Sequence, residues 1–424
     1  MKTVLIIAPQ FAPSSYPPAQ RIRLFTNHLE EFGWRAIVLS VEPRYLEETP
    51  DWEFAKLLNP NLEVIRSKAL PYQWTRKIGI GDLGIRSLYH QRKMAARICR
   101  ERRIDLLFIS GPPWHTFLIG QAIKKRFNIP YVLDYIDPWV SAAGENAKPW
   151  RKAHWFRKMA VWLEPKAASM ASRIVTVSDG TNESIQKRYP FLTKDHFATI
   201  PYGGEKSDID FVKKNPMDPG IFHKGEGQFN IVYMGTMLPR AYDTLRALFN
   251  SVLLIRQERP DLYKSMRFYF IGTTYETEPK KLLVMPTAEE IGVQEVVKEY
   301  PKRIPYLETN TLLIRSDAIL ALGSSEPHYT ASKIYPCIYA ERPLLAIYHE
   351  ESSVSQVMKE AEAGEIITFS ENQPVMLKTE AIKKAIIQIM DPGYKKPPVR
   401  WDIFEKYSAR SMTQRLIQVF NFVA

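Results

Sequence analysis

Only two cysteines, Cys99 and Cys337, occur in 424 residues. They lie too far apart in the sequence for a disulfide framework or a zinc site. No apolar run approaches the roughly 18–20 residues that cross a bilayer as a helix. The apolar run at 3–9 stops at Gln10. Lacking an extended apolar core and a small-residue cleavage site, it is expected to be a first β-strand rather than a secretion signal. Together these absences suggest a reducing, bacterial-type cytosol. No period of roughly 20–50 residues recurs, which excludes a solenoid. The segment 9–21 that follows the first strand holds no glycine, so a dinucleotide fingerprint is missing there and a nicotinamide-binding domain is disfavoured. With 45% hydrophobic and 25% charged residues, disorder as the main state is excluded as well. What is present in excess is positive charge, 58 Lys and Arg against 46 Asp and Glu, a formal +12.

Apolar, β-branched segments near 4–8, 35–41, 62–67, 105–110, 131–137 and 173–178 alternate with segments of helical period near 20–31, 86–103, 116–127, 151–170 and 181–188. This is the pattern of an α/β fold with a parallel sheet. Residues 205–228 are polar and carry Pro216, Pro219, Gly220, Gly225 and Gly227, as a linker would. Alternation restarts with strands near 230–234, 267–271, 318–322, 343–348 and 365–368. Helices are expected near 242–259, 310–315, 332–340, 353–363 and 379–390, and a last helix follows Pro397 and Pro398. The expected organisation is two doubly wound, Rossmann-like domains, 1–205 and 229–400, facing across a cleft. A linker, 206–228, joins them, and a helix in 401–424 follows. Ligands of such sheets bind at the carboxyl ends of strands, so the loops there are the places to look.

In the first such loop, Ser14, Ser15 and Arg21 are candidates for an anionic or polyhydroxyl ligand, against the plainer reading of a proline-stiffened surface loop. His115, in Gly111-Pro-Pro-Trp-His, follows a strand, where a histidine is either structural or a cleft residue. Asp134 and Asp137 follow at the next strand end. Asp137 either caps the turn before Pro138 or deprotonates a hydroxyl, and Asp134 supports it. In the second half, Gly235 lets backbone approach a ligand, and Arg240 can add a charge-assisted bond to phosphate. Thr330 and Ser332 are good helix caps. Lys333, expected in the first turn of that helix, is disfavoured by the helix dipole unless an anion shares the site. Two anion-suited loops on one sheet suggest a diphosphate.

The order of these segments resembles the retaining, nucleotide-sugar-dependent glycosyltransferases of the two-Rossmann-domain (GT-B) fold, family 4. Five stretches carry the resemblance: Val4-Leu-Ile-Ile-Ala-Pro-Gln-Phe-Ala-Pro-Ser-Ser15; Ser110-Gly-Pro-Pro-Trp-His115 with Asp134-Tyr-Ile-Asp-Pro-Trp139; Val175-Thr-Val-Ser178 with Ile200-Pro-Tyr-Gly203; Ser332-Lys-Ile-Tyr335 through Ala346; and 407–423. The resemblance implies a C-terminal domain that binds the sugar nucleotide, an N-terminal domain that binds the acceptor, and a last helix that crosses back onto the first domain. It implies donor contacts at Gly235, Thr236, Arg240 and Thr330, Ala331, Ser332 and Lys333, with backbone at Ile304 reading the nucleobase. The family's paired glutamates fall here on His328 and Pro336, and Glu326 lies two residues before His328. Asp137, His115, Glu326 and His328 are the candidate catalytic groups. No metal or other cofactor is implied. The acceptor class is a saccharide or a lipid-linked saccharide in surface polysaccharide or glycoconjugate assembly. A GT-B-fold sugar-nucleotide epimerase and a non-catalytic nucleotide-sugar-binding scaffold stay open as alternatives. Release of nucleoside diphosphate only on addition of acceptor separates transfer from both.

The positive charge concentrates in 86–103 and in 148–162, the latter interleaved with Trp150, Trp155, Phe156 and Trp162. The plain reading is two solvated helices, the second packing Trp155, Met159, Trp162 and Leu163 onto the sheet. The sharper one is a surface for anionic lipid, which would place a cytoplasmic protein peripherally on the inner face of the membrane. No nucleic-acid module is recognisable.

Overall fold

The computed structural model describes all residues except 141–144, 146, 223–226, 277 and 326–331. The chain forms two compact units: Met1–Gly203 with Ala409–Ala424, and Gly204–Ser408.

The first unit is built on seven parallel strands, Glu63–Ser67, Trp34–Val41, Lys2–Ile7, Leu106–Gly111, Tyr131–Tyr135, Arg173–Thr176 and Phe197–Thr199 in spatial order. Its central strands are continuous runs of buried Val, Ile, Leu and Phe, as a sheet covered on both faces requires. The helix Ala409–Val423 belongs to this unit. Met412, Leu416 and Phe420 recur every fourth residue along one buried face of it, the spacing that aligns side chains on a helix. The Phe420 ring meets Trp34 at 5.2 Å and Phe108 at 5.3 Å, and Trp34 Nε1 donates to Asn421 Oδ1 at 3.0 Å.

The second unit repeats the plan with six parallel strands, Val297–Tyr300, Met266–Ile271, Phe229–Met234, Ala318–Leu322, Leu344–His349 and Glu365–Phe369. In both sheets the first strand of the unit lies beside the fourth, so strand order reverses there. The crevice at that reversal is where doubly wound sheets bind ligands.

Two expected boundaries move. The polar stretch taken as a linker begins with a helix, Lys206–Lys214. Its Ile209 and Val212 are buried, and Asp208 accepts a 2.7 Å hydrogen bond from Tyr306, so the helix is part of the second unit. The 401–424 segment is not one helix. Trp401–Phe404 and Glu405–Tyr407 pack on the second unit, where Trp401 stacks on Tyr339 at 5.7 Å. The change of unit comes at Ser408. Beside it, Gly204 N donates to Tyr407 O at 2.9 Å. A Cβ on Gly204 would lie 2.6 Å from the Tyr339 ring, so only glycine fits.

Candidate active site

In the first unit the loop after Lys2–Ile7 is tied internally. Ser14 is fully buried and its hydroxyl donates to Glu48 at 2.6 Å, a carboxylate that also accepts from Gln10 at 2.8 Å. Ser15 is half-buried. Arg21 does not offer its charge to a ligand, contrary to the acceptor-binding role expected of it. Its Nε and Nη2 bond the Asp134 carboxylate at 2.9–3.1 Å, with the two side chains 1% and 0% exposed. Its Nη1 donates to Pro201 O at 3.2 Å, and the guanidinium lies 4.8 Å from the Phe25 ring and 5.4 Å from that of Tyr202. Asp134 also accepts from Ser110 at 3.1 Å. The pair joins the helix Pro17–Thr26 to the strand Tyr131–Tyr135, holding the crevice walls together.

His115 has a partner that sequence reasoning missed. Asp82 caps the helix Leu83–Glu101 by accepting from Ile85 N at 2.9 Å, and the same Oδ1 lies 3.0 Å from His115 Nδ1. Burial would raise the Asp82 carboxyl, but the His115 hydrogen bond and charge, with the Ile85 and Gly84 amides, outweigh it and hold it below its ordinary value. An ionised Asp82 accepts from Nδ1–H, which fixes the orientation of the ring and leaves Nε2 as the nitrogen turned away from the pair. That Nε2 is buried without a hydrogen-bond partner among the described residues, and the ring sits edge-on to Trp139 at 5.6 Å. Asp before a helix is a common cap, but the contact with His115, 33 residues away, leaves no local signal in the sequence. Asp137 keeps much of its surface open, while protein atoms crowding its carboxyl push its pKa up. Its carbonyl accepts from Trp114 Nε1 at 3.1 Å.

In the second unit the strand Phe229–Met234 ends at Gly235, with φ +148°. That value lies in the region that glycine alone adopts without strain. A Cβ built there would sit 2.0 Å from Lys333 Nζ, so the lysine lies directly over the bare Cα. Lys333 occupies the cap position of the short helix Ile334–Tyr339 rather than its first turn. Much of the residue stays open to solvent, yet its ammonium end is pressed among loop atoms. Desolvation first, and then the like charge of Arg303, lower its pKa to about 8. Among the described residues no carboxylate acts on it.

Arg303, which sequence reasoning passed over, follows the strand Val297–Tyr300 and lies beside Gly272, its guanidinium 5.5 Å from the Tyr275 ring. Arg240 is exposed, and its carbonyl accepts from Ser325 N at 3.0 Å, joining two of the strand-end loops. The Thr236 carbonyl accepts from Tyr233 OH at 3.1 Å. The Ile304 side chain packs on the cluster of Phe222, Val232, Tyr269, Ile271 and Leu312, which fixes the backbone of its loop. Ser332 is half-buried. Glu326, His328, Thr330 and Ala331 lie outside the described residues.

Burial pushes both thiols, Cys99 and Cys337, up to about 12, so neither is a ready nucleophile at neutral pH. No cluster of three or more metal-ligating side chains occurs among the described residues.

Residues 18–203 match the model of the glycosyl transferase 4-like domain. No curated protein matches the sequence. Among solved structures, HepE of Anabaena in complex with UDP-glucose has a TM-score of 0.62 at 12% identity, covering 100% of both chains. The UDP-forming α,α-trehalose-phosphate synthase of Burkholderia vietnamiensis has 0.63 at 9%, also with full coverage of both. A glycosyltransferase of Rickettsia africae has 0.61 at 12%, covering 99% of this chain and 98% of that one. At these identities the likeness establishes the fold, a two-domain α/β GT-B fold.

Proposed function

We propose that this chain, whose residues 18–203 match the glycosyl transferase 4-like domain and which shares the GT-B fold, is a glycosyltransferase that moves a sugar with retention from a nucleotide-diphosphate sugar to a hydroxyl of a saccharide or lipid-linked acceptor. The setting is the assembly of a surface polysaccharide or glycoconjugate in the cytoplasm. The observation that carries the reading is Lys333 lying over Gly235, beside Arg303, where strand order reverses in the second unit. Lys333, on which no carboxylate acts among the described residues, with the guanidinium of Arg303 near it, suits the diphosphate of a donor. HepE, solved with UDP and glucose, and the UDP-forming trehalose-phosphate synthase make a uridine donor the first to try.

Transfer breaks the bond between the anomeric carbon and the diphosphate oxygen and forms one to the acceptor oxygen on the same face. The acceptor proton passes to the departing phosphate. Charge grows on the leaving group, so Lys333 and Arg303, rather than a metal ion, stabilise the transition state. His115 Nε2 bonds a sugar or acceptor hydroxyl, and Asp82 acts as its positioning residue. Thermal melting with UDP-, GDP-, ADP- and dTDP-sugars tests the reading, since a ligand that binds only the folded state raises apparent stability. One of them should raise Tm, and a flat response to all four would remove the reading.

A further inference from the structure

The helix Lys152–Ala168 does not sit as its apolar residues suggest. The residues it buries are Ala160, Glu164, Ala167 and Ala168. Trp155 and Trp162, read from sequence as core, are 62% and 63% exposed. At about 3.6 residues per turn, Lys152, Trp155, Lys158, Trp162 and Lys166 fall on one stripe, about half a turn from the buried alanines. Each indole in the stripe lies under a lysine: Lys158 Nζ is 5.4 Å from the Trp155 ring and Lys166 Nζ 3.1 Å from that of Trp162. Glu164 is the helix's one acidic residue, and it points inward, where it accepts from Tyr189 OH at 2.9 Å and Arg188 Nη2 at 3.2 Å. The exposed residues of the helix therefore include no acid, and lysine and tryptophan alternate along the stripe.

A second element extends it. The turn that ends at Gly79 lies against the start of this helix, since a Cβ on Gly79 would be 3.5 Å from Lys152 Nζ. That turn exposes Trp74 and Ile78 at 73% and 74%. The basic segment 86–103 contributes less than its composition suggests. Arg86 is fully buried and donates to the carbonyls of Gly81, Tyr45 and Leu70, and Arg97 is paired with Glu101 at 2.8 Å.

We infer that the stripe Lys152–Trp155–Lys158–Trp162–Lys166, with Trp74 and Ile78 beside it, is a membrane-interface surface for anionic lipid. Its lysines meet the phosphate headgroups and its indoles sit at the headgroup–acyl boundary. Exposed apolar groups of this size on a soluble domain call for a covering partner. A stripe of lysines with interleaved tryptophan and no acidic residue complements a negatively charged bilayer, where the indole has both an apolar and a wet side. Burial against the protein would instead have turned the tryptophans inward and left the alanines out. The surface stands independently of the transfer reaction.

The test uses the full chain and sedimentation with vesicles of phosphatidylcholine, with and without phosphatidylglycerol, and no donor or acceptor. The protein should pellet with the anionic vesicles and stay in solution with the neutral ones. Each Lys→Gln change at 152, 158 or 166 should weaken binding about fivefold. W155S/W162S should lose vesicle binding and keep the wild-type melting temperature, because both side chains are exposed. Equal recovery on the two vesicle types would overturn the inference, as would a W155S/W162S protein that binds like wild type. It would also fail if the chain self-associates in a way W155S/W162S abolishes while no vesicle pellets it. Binding to soluble heparin that W155S/W162S leaves intact, with no vesicle binding, would assign the charge to a polyanion instead.

Discussion

Arg21 and Lys333 both stand beside the place where strand order reverses in their unit, and their surroundings treat the charge in opposite ways. Arg21 is sealed against Asp134, with its remaining donor on a backbone carbonyl. Lys333 lies on a bare glycine, with a second cation for company, and is driven toward its neutral form. A buried ion pair that is fully hydrogen-bonded is architecture. A lysine held against its own charge is a site that a ligand completes. The crevice in the first unit is thus shaped by groups already satisfied, with His115 Nε2 a polar atom left open, whereas the second unit keeps cationic charge in reserve.

The comparison breaks first on stability. Asp134→Ala leaves a buried guanidinium without its counter-ion and should cost about 3–5 kcal/mol in denaturant unfolding. Lys333→Ala should leave unfolding nearly unchanged. If the two variants unfold alike, the contrast fails. On activity the order reverses. Lys333→Ala should lower the transfer rate by roughly 10²–10³, as removal of one preorganised charge-stabilising donor does; single-turnover donor consumption measures it. Next in size is Asp82→Asn, which loosens the His115 ring and should lower turnover by about ten- to a hundredfold through misplacement. The pH profile separates a positioning role from a merely structural one. Its limb should move in Asp82→Asn and stay fixed in a variant that weakens the helix cap alone.

The smallest effect is a pH dependence of donor binding. Protonated Lys333 is the form that binds a diphosphate. In the free protein this lysine loses its proton near pH 8 rather than near its usual 10.5. Nucleotide affinity should therefore be constant below about pH 8 and fall as pH rises through it, by up to about tenfold per unit. Affinity that holds level to pH 10 would mean that Lys333 does not meet the phosphates.

The inner strands of both sheets were readable because apolar residues dominate each of them. The two strands that sequence reading missed, Phe197–Thr199 and Val297–Tyr300, are sheet edges of three and four residues. Half exposed and carrying Thr, Lys and Glu, they show no such dominance. The Gly235 loop was legible as a place for backbone approach, since glycine at a strand end has few other uses. What periodicity could not supply was direction. The spacing of Trp155 and Trp162 marks one face of a helix equally well whether that face looks in or out, and small alanines on the opposite side decided it. Long-range partners were likewise out of reach. Arg21 with Asp134, 113 residues apart, and Asp82 with His115 are pairings of polar groups that carry no local signature.

The central claim is that Lys333 over Gly235 is the diphosphate seat, and calorimetric titration tests it most directly. The nucleoside diphosphate of whichever sugar raises Tm is titrated into wild type, Lys333→Ala and Asp137→Ala. Binding should be present in wild type, weakened at least tenfold in Lys333→Ala and unchanged in Asp137→Ala. Wild-type affinity in Lys333→Ala would contradict it.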